Sequence, residues 1–168
     1  IGGIFTLAGF LYKISAVPMH IWAPDVYEAA PMPVLAFLST APKLAGLAIL
    51  TKVTLALNMF GESNYDWQGI LAGISILSIT IGNFSALWQT HPKRMMAYSS
   101  IAQTGFLLIG VVAFSMEGLQ FMLFYAGIYT ISNFAVFFCL QAFEKTNVIT
   151  IANFGGSGRT LAWLNVSL

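Results

Sequence analysis

Two lysines in this sequence lie inside apolar segments, and each has a proline close to it. Lys13 lies five residues before Pro18, and Lys43 directly follows Pro42. Burial disfavours the charged form of a lysine, whereas a nearby carboxylate favours it. A carboxylate that moved towards or away from such an amine would load or unload a proton near neutral pH. The pattern therefore predicts that Lys13 and Lys43 are proton-relay sites.

A histidine extends this hypothesis. His20 lies seven residues after Lys13 and shares its face if the helix continues through Pro18. Histidine titrates in the physiological pH range, so His20 is a candidate for passing protons to the surface. The alternative is a hydrogen-bonded structural histidine near the membrane edge.

Depth in the membrane distinguishes Lys43 from Lys52. Lys43 lies about ten residues from either polar boundary of its apolar segment, near the expected midplane. A charge at that depth costs from about 3 to more than 10 kcal/mol, so Lys43 is expected to face a wet or paired interior. Its structural alternative is an ion pair that joins helices. Lys52 lies closer to the boundary, where it can extend to the surface, and a structural role is expected.

The prolines predict bends of the helices beside the lysines. Pro18 leaves the carbonyl of Ile14 without its helical donor, and Pro42 does the same to Leu38. Non-helical backbone at membrane depth persists where protein or water satisfies it. Broken helices near the midplane are typical of ion-handling transporters.

The composition indicates a membrane protein. Of the 168 residues 58% are hydrophobic and 8% charged, and the mean hydropathy is +0.80. A soluble domain carries about 25% charged residues. The chain has no basic cluster large enough to bind nucleic acid, and one cysteine, Cys139, excludes an internal disulfide and a thiolate metal site.

The apolar runs are continuous and long enough for helices that cross about 30 Å of hydrocarbon. The predicted fold is an all-α polytopic transmembrane helix bundle with a broken helix near the N-terminus. Residues 1–168 are expected to form a single transmembrane domain and to be an internal fragment of a larger polytopic protein. The predicted spans are 1–23 (broken), 33–57, 67–88, 95–114, 119–143 and the start of another at 161.

Uncharged polar residues recur in the later spans. They either line a water wire or hydrogen-bond between helices, each bond contributing about 0.6–2 kcal/mol. They are Ser75, Ser78, Asn83, Ser85, Ser99, Ser100, Gln103, Thr104, Ser132 and Asn133.

The basic loops predict the orientation. The loop with Lys93 and Arg94 and the loop at 144–160 carry the lysines and arginines between the later spans. By the positive-inside rule both are expected on the cytoplasmic side, and the acidic connection at 58–66 on the opposite side.

Three stretches of the sequence carry a family resemblance. They are "YKISAVPMHIWAPDVYEAAPMPV" at 12–34, "APKLAG" at 41–46 and "KRMMAYSSIAQTGF" at 93–106. Together they closely resemble the subunit N family of bacterial NADH:quinone oxidoreductase (respiratory complex I), called subunit 2 in mitochondria and plastids. The resemblance extends over nearly all of residues 1–150. The first stretch is highly specific, and the third is shared with antiporter-like relatives.

The resemblance implies an antiporter-like proton-translocating subunit. Lys13 matches the lysine of the family's broken helix and Lys43 the central lysine of the next helix, while their charged partners lie outside this chain. It also implies that NADH, flavin, iron–sulfur clusters and quinone are used by other subunits, with no cofactor in this chain. The expected partners are the other membrane and peripheral subunits, the lipid bilayer and, indirectly, quinone. The expected location is the bacterial cytoplasmic (inner) membrane.

Two other functions are compatible with these features. One is a subunit of a multisubunit cation/proton antiporter, and the other is a scaffold subunit whose buried lysines are structural. The stretch "HIWAPDVYEAAPMPV" favours the oxidoreductase subunit over the antiporter.

Overall fold

The computed structural model describes residues 2–59, 66–144 and 151, and these ranges contain helices and no strand. The all-α prediction is confirmed. The helices are α1 (Gly2–Ile14), α2 (Trp22–Ala29), α3 (Met32–Met59), α4 (Trp67–Leu87), α5 (Pro92–Val112) and α6 (Met116–Glu144).

Four of these helices are long and apolar enough to cross a membrane. The qualifying stretches are Met32–Ala56, Trp67–Leu87, Pro92–Val112 and Met116–Glu144. At about 1.5 Å per residue, 21 residues extend for about 31 Å, which matches the hydrocarbon thickness. The expected further span at 161 lies outside the described residues.

The chain is interrupted between α1 and α2, as the sequence predicts. The helix ends at Ile14, and Ser15 has a positive φ of 59°. The Val17–Pro18 peptide bond is cis, and α2 begins at Trp22. The predicted break of the helix near the N-terminus is thus present, and it covers residues 15–21.

The chain beside Lys43 is helical, in contrast. Pro42 lies inside α3, which is helical from Met32 to Met59. The hydroxyl of Thr40 donates to the carbonyl of Ala36, 2.9 Å away within the same helix. Pro42 therefore removes one backbone donor without ending the helix.

Helices α4 and α5 pack closely through glycines. A Cβ atom added to Gly82 would lie 2.6 Å from the backbone nitrogen of Ala102, and one added to Gly105 would lie 2.9 Å from the carbonyl oxygen of Ser75. The Ser75 hydroxyl also donates to the carbonyl of Gly105 at 2.7 Å. Since any side chain at these positions would collide with backbone, glycine is what allows the two helices to approach so closely.

Charged side chains gather at one end of the bundle. Arg94 at the start of α5 forms ion pairs with Asp25 (2.9 Å) and Glu28 (2.7 Å) of α2. Its neighbour Lys93 pairs with Glu144 at the end of α6 (2.8 Å). The connection after α4 and the ends of α2 and α6 therefore share one end of the bundle.

Candidate functional site: the buried amine of Lys43

Lys43 is buried in the middle of the helix bundle, with 2% of its surface exposed. Its amine donates to the Ser100 hydroxyl at 2.9 Å, to the Ser100 carbonyl at 3.2 Å and to the Thr104 hydroxyl at 3.5 Å. Ser100 and Thr104 are four residues apart, so they project from one face of α5. One turn of α5 thus supplies three oxygen atoms to one amine of α3.

The hydrogen-bond partners of this amine are neutral. Within the described residues no carboxylate lies within ion-pairing distance of Lys43, where the ion pairs involve Lys93 and Arg94 instead. An uncompensated buried ammonium is costly. A hydroxyl can either accept a hydrogen bond from an ammonium or donate one to an amine lone pair, so Ser100 and Thr104 can serve both protonation states of Lys43.

The helix interruption lies beside this site. The carbonyl oxygen of Ile14, the last residue of α1, accepts a hydrogen bond of 3.2 Å from the Thr104 hydroxyl. The backbone N–H of Val17 donates to the Ser78 hydroxyl at 3.0 Å. Of the two expected kinds of partner for the freed carbonyl of Ile14, protein or water, the structure shows a protein hydroxyl. Thr104 therefore joins the end of the broken helix to the surroundings of Lys43.

A tyrosine and asparagine cluster borders the same site. The Tyr27 hydroxyl lies 3.3 Å from the Ser100 hydroxyl. The Tyr129 hydroxyl donates to the Ser39 carbonyl at 3.0 Å, and the amide of Asn133 donates to the Ser39 hydroxyl at 2.6 Å. The site therefore connects α2, α3, α5 and α6.

These tyrosines were missed by reasoning from the sequence, because aromatic residues in an apolar run resemble packing groups. Tyr129 and Asn133 are four residues apart on α6, and this spacing is the signal that could have paired them. For Tyr27 no comparable signal exists, since its partner Ser100 is 73 residues away in the chain.

Lys13 differs from Lys43 in its environment. Its side chain is exposed on the last turn of α1 within the described residues, so burial of Lys13 stays a prediction for the longer protein. Its aliphatic stem passes over Gly46, where an added Cβ would lie 3.7 Å from Lys13 Cγ. Gly46 follows Lys43 by almost one helical turn, so the two lysines border the same stretch of α3. Their joint participation in a relay stays a prediction.

His20 lies in the turn after α1 and is half-buried. The condition for sharing a helical face with Lys13, a helix that continues through Pro18, is not met, because α1 ends at Ile14. Its Nδ1 atom is buried without a hydrogen-bond partner among the described residues. A relay role for His20 stays a prediction.

Lys52 lies on an exposed face of α3.

Within the part of the chain that the structure describes, no three histidine, cysteine, aspartate or glutamate side chains come together in a way that could hold a metal ion.

A family model described as NADH:quinone oxidoreductase/Mrp antiporter, transmembrane, matches residues 1–163. The chain belongs to this family. The predicted resemblance to the subunit N branch is also confirmed, since the relatives described next carry that name or its subunit 2 equivalent. The chain is accordingly an integral membrane protein with antiporter-like helices.

Two curated relatives illustrate the similarity. NADH-quinone oxidoreductase subunit N of Parvibaculum lavamentivorans is 42% identical over 94% of this chain and 33% of its own length. NAD(P)H-quinone oxidoreductase subunit 2 of a Synechocystis species is 45% identical over 91% of this chain and 29% of its own length. The chain thus spans about a third of the curated relatives that it matches.

Solved structures show the same arrangement of helices. A chain of respiratory complex I from Thermus thermophilus has a TM-score of 0.67 at 32% identity, over 79% of this chain and 28% of that one. A chain of the membrane-bound sulfane sulfur reductase, an archaeal respiratory complex, has a TM-score of 0.85 at 28% identity, over 95% of this chain and 33% of that one. The Mrp complex from a Dietzia species, with a TM-score of 0.75, is 23% identical over 84% of this chain and 26% of the matched chain, and shows the fold alone.

Proposed function

We propose that this chain is part of the subunit N component of a proton-pumping NADH:quinone oxidoreductase and relays protons through Lys43. The observation that carries the proposal is a fully enclosed amine whose described partners are hydroxyl and carbonyl oxygens. Such an amine can exchange a proton without breaking an ion pair. Electron transfer from NADH to quinone takes place in other subunits, which hold the flavin and iron–sulfur clusters.

Lys13 and His20 are the further relay candidates in this proposal. The exposed face of Lys13 would be covered by parts of the full-length protein that lie outside this chain, and a carboxylate there would pair with its ammonium. His20 would carry protons between the helix interruption and the membrane surface, using its unpartnered Nδ1 atom. The complex would be located in the bacterial cytoplasmic membrane, with the other membrane and peripheral subunits as partners and Lys93 and Arg94 facing the cytoplasm.

A cation/proton antiporter is the second candidate, because the description of the matching family names both kinds of complex. The names of the relatives at 42% and 45% identity favour the oxidoreductase.

The test compares two lysines of the same helix. Lys43→Met keeps the aliphatic stem and removes the titratable amine, and we expect it to lower proton translocation by at least about tenfold, as the loss of a proton-transfer group does elsewhere. Lys52→Met makes the same chemical change on an exposed face of α3 and should leave translocation near the wild-type rate.

The measurement is proton uptake together with NADH-driven quinone reduction in membranes, normalised to the amount of assembled complex. Near-wild-type translocation in both variants would contradict the relay and favour a scaffold function. Proton transport that continues without quinone reduction, driven by a cation gradient, would favour the antiporter.

A further inference from the structure

Ser100 is the point where several hydrogen bonds of the site meet. Its hydroxyl oxygen lies 2.9 Å from the Lys43 amine, 2.9 Å from the Ala97 carbonyl and 3.3 Å from the Tyr27 hydroxyl. A serine hydroxyl has one proton and two lone pairs, so it can donate to one of Lys43, Ala97 and Tyr27 at a time. The Tyr27 hydroxyl can donate as well as accept. The orientation of the Tyr27 hydroxyl therefore influences which of its neighbours the Ser100 hydroxyl donates to.

Tyr27 is held firmly in place. Its side chain is 1% exposed, and its ring packs against Phe137 of α6 with centroids 6.4 Å apart. Burial raises the pKa of Tyr27 to about 12, and the hydrogen bond with Ser100 opposes part of that rise. The phenol therefore stays protonated at physiological pH and acts as a neutral hydrogen-bonding group.

The short helix that carries Tyr27 is attached to α5 at two points. On its outer side, Asp25 and Glu28 pair with Arg94. On its inner side, Tyr27 meets Ser100, six residues further along α5, or about 9 Å along the axis. With both attachments present, α2 places the Tyr27 hydroxyl over Ser100 in a defined position.

We infer that Tyr27 is a positioning residue for Lys43 and acts through Ser100. The inference rests on the proposed function, in which Lys43 gains and loses a proton. Tyr27 does not itself carry the transported proton. It determines how well the Ser100 hydroxyl can donate a hydrogen bond to the neutral amine of Lys43 after that amine has lost its proton.

The two protonation states of Lys43 need different orientations of Ser100. In the ammonium state, Lys43 donates to the Ser100 oxygen, and the Ser100 proton is available to Ala97. In the amine state, the Lys43 nitrogen accepts a hydrogen bond from the Ser100 hydroxyl, and the Ser100 oxygen can accept one from the Tyr27 hydroxyl. Removal of the Tyr27 hydroxyl takes away this donor to the Ser100 oxygen in the amine state. The amine state therefore loses more than the ammonium state.

Two other titratable side chains lie on helices that border this site, Lys13 on α1 and Tyr129 on α6. The stem of Lys13 approaches from α1 at Gly46, and Tyr129 of α6 donates to the carbonyl of Ser39. Helix α5 presents the hydroxyls of Ser100 and Thr104, and the sequence of α4 has no titratable side chain. Tyr129 also interacts with Ser100, but its hydroxyl donates its proton to the Ser39 carbonyl at 3.0 Å. Tyr27 is distinguished from it because its hydroxyl lies 3.3 Å from Ser100 with its proton free to point there.

The test is Tyr27→Phe in the full-length protein within the assembled complex. Phenylalanine fills the same space, so assembly should be unchanged. Loss of one hydrogen bond to the amine state should lower translocation at neutral pH about three- to tenfold. It should also move the pH profile about half to one unit upwards, because the ammonium then holds its proton until a higher pH. Tyr125→Phe removes a hydroxyl that bonds Gln103, and it should leave the profile unchanged.

A double substitution tests whether the effect passes through Ser100. In a Ser100→Ala background, Tyr27→Phe should change the pH profile no further, and additive effects would overturn the inference. A wild-type profile for Tyr27→Phe would also overturn it, while leaving the proposed function intact if Lys43→Met still abolishes translocation. Failure of Tyr27→Phe to assemble would overturn it as well, since the hydroxyl would then be required for folding.

Discussion

The two prolines beside the lysines have opposite effects on the backbone. Around Pro18 the helix ends, and the freed groups of Ile14 and Val17 are bonded by hydroxyls of α5 and α4. Around Pro42 the helix continues, and the hydroxyl of Thr40 bonds a carbonyl of its own helix. Proline therefore coincides with a helix end at residue 18, where α4 and α5 bond the freed groups, and is accommodated inside a continuous helix at residue 42.

This contrast assigns different tasks to the two regions. Hydrogen bonds with α4 and α5 stabilise the non-helical conformation of the chain near Pro18, so this conformation depends on the rest of the bundle. Helix α3 is regular by itself and supplies a fixed position for Lys43. Substitutions in the first region should consequently affect function and stability more than equivalent substitutions in the second.

The largest expected difference is between Pro18→Ala and Pro42→Ala. Alanine at 18 favours helix beyond Ile14, which would withdraw the Ile14 carbonyl from Thr104 and disturb the surroundings of Lys43. We expect at least about a tenfold loss of translocation per assembled complex, since small displacements of reacting groups cost up to about a hundredfold. Alanine at 42 restores a helical donor and should change the rate less than about twofold. Equal losses, measured as proton uptake, would remove the distinction between the two regions.

A smaller effect is expected from the hydroxyls that bond the backbone. Ser78→Ala leaves the buried N–H of Val17 without its partner and should lower the free energy of unfolding by about 1–3 kcal/mol. Thr51→Val is the matched change in α3, where the hydroxyl bonds Leu47 of the same helix at 2.8 Å. It should cost less than about 0.5 kcal/mol, because the helical hydrogen bond remains. Chemical denaturation of the full-length protein in detergent measures both, and a larger loss for Thr51→Val would contradict the comparison.

The smallest effect concerns the exposed attachment of α2. The hydrogen bond from Arg94 lowers the pKa of Glu28 below its ordinary value of 4.5. A carboxylate with a lowered pKa stabilises the fold above its unfolded-state pKa, and this contribution is lost as the pH falls through the folded-state value. The difference in melting temperature between the wild type and Glu28→Gln should therefore be constant above about pH 5 and shrink towards pH 3. A difference that grows on acidification would show that the ion pair with Arg94 is not its cause.

The sequence predicts the helical architecture because hydrophobic runs and the positions of proline are local properties. The break after Ile14 follows from Pro18 in this way, as does the depth of Lys43. The partners of Lys43 do not follow, because Ser100 lies 57 residues away and its choice depends on how α3 and α5 pack. The exposure of Lys13 could not be predicted from the sequence either. It depends on which of its neighbours belong to this chain, which spans about a third of the length of its relatives.

The glycines between α4 and α5 have a mechanical consequence. Because even a Cβ atom at Gly82 or Gly105 would collide with the facing backbone, the two helices pack closely, and sliding or rotation would have to separate them. They form a stiff wall on one side of the buried amine. Rearrangement during a transport cycle would then fall to the break between α1 and α2, which is attached to this pair by single hydrogen bonds from Thr104 and to Ser78.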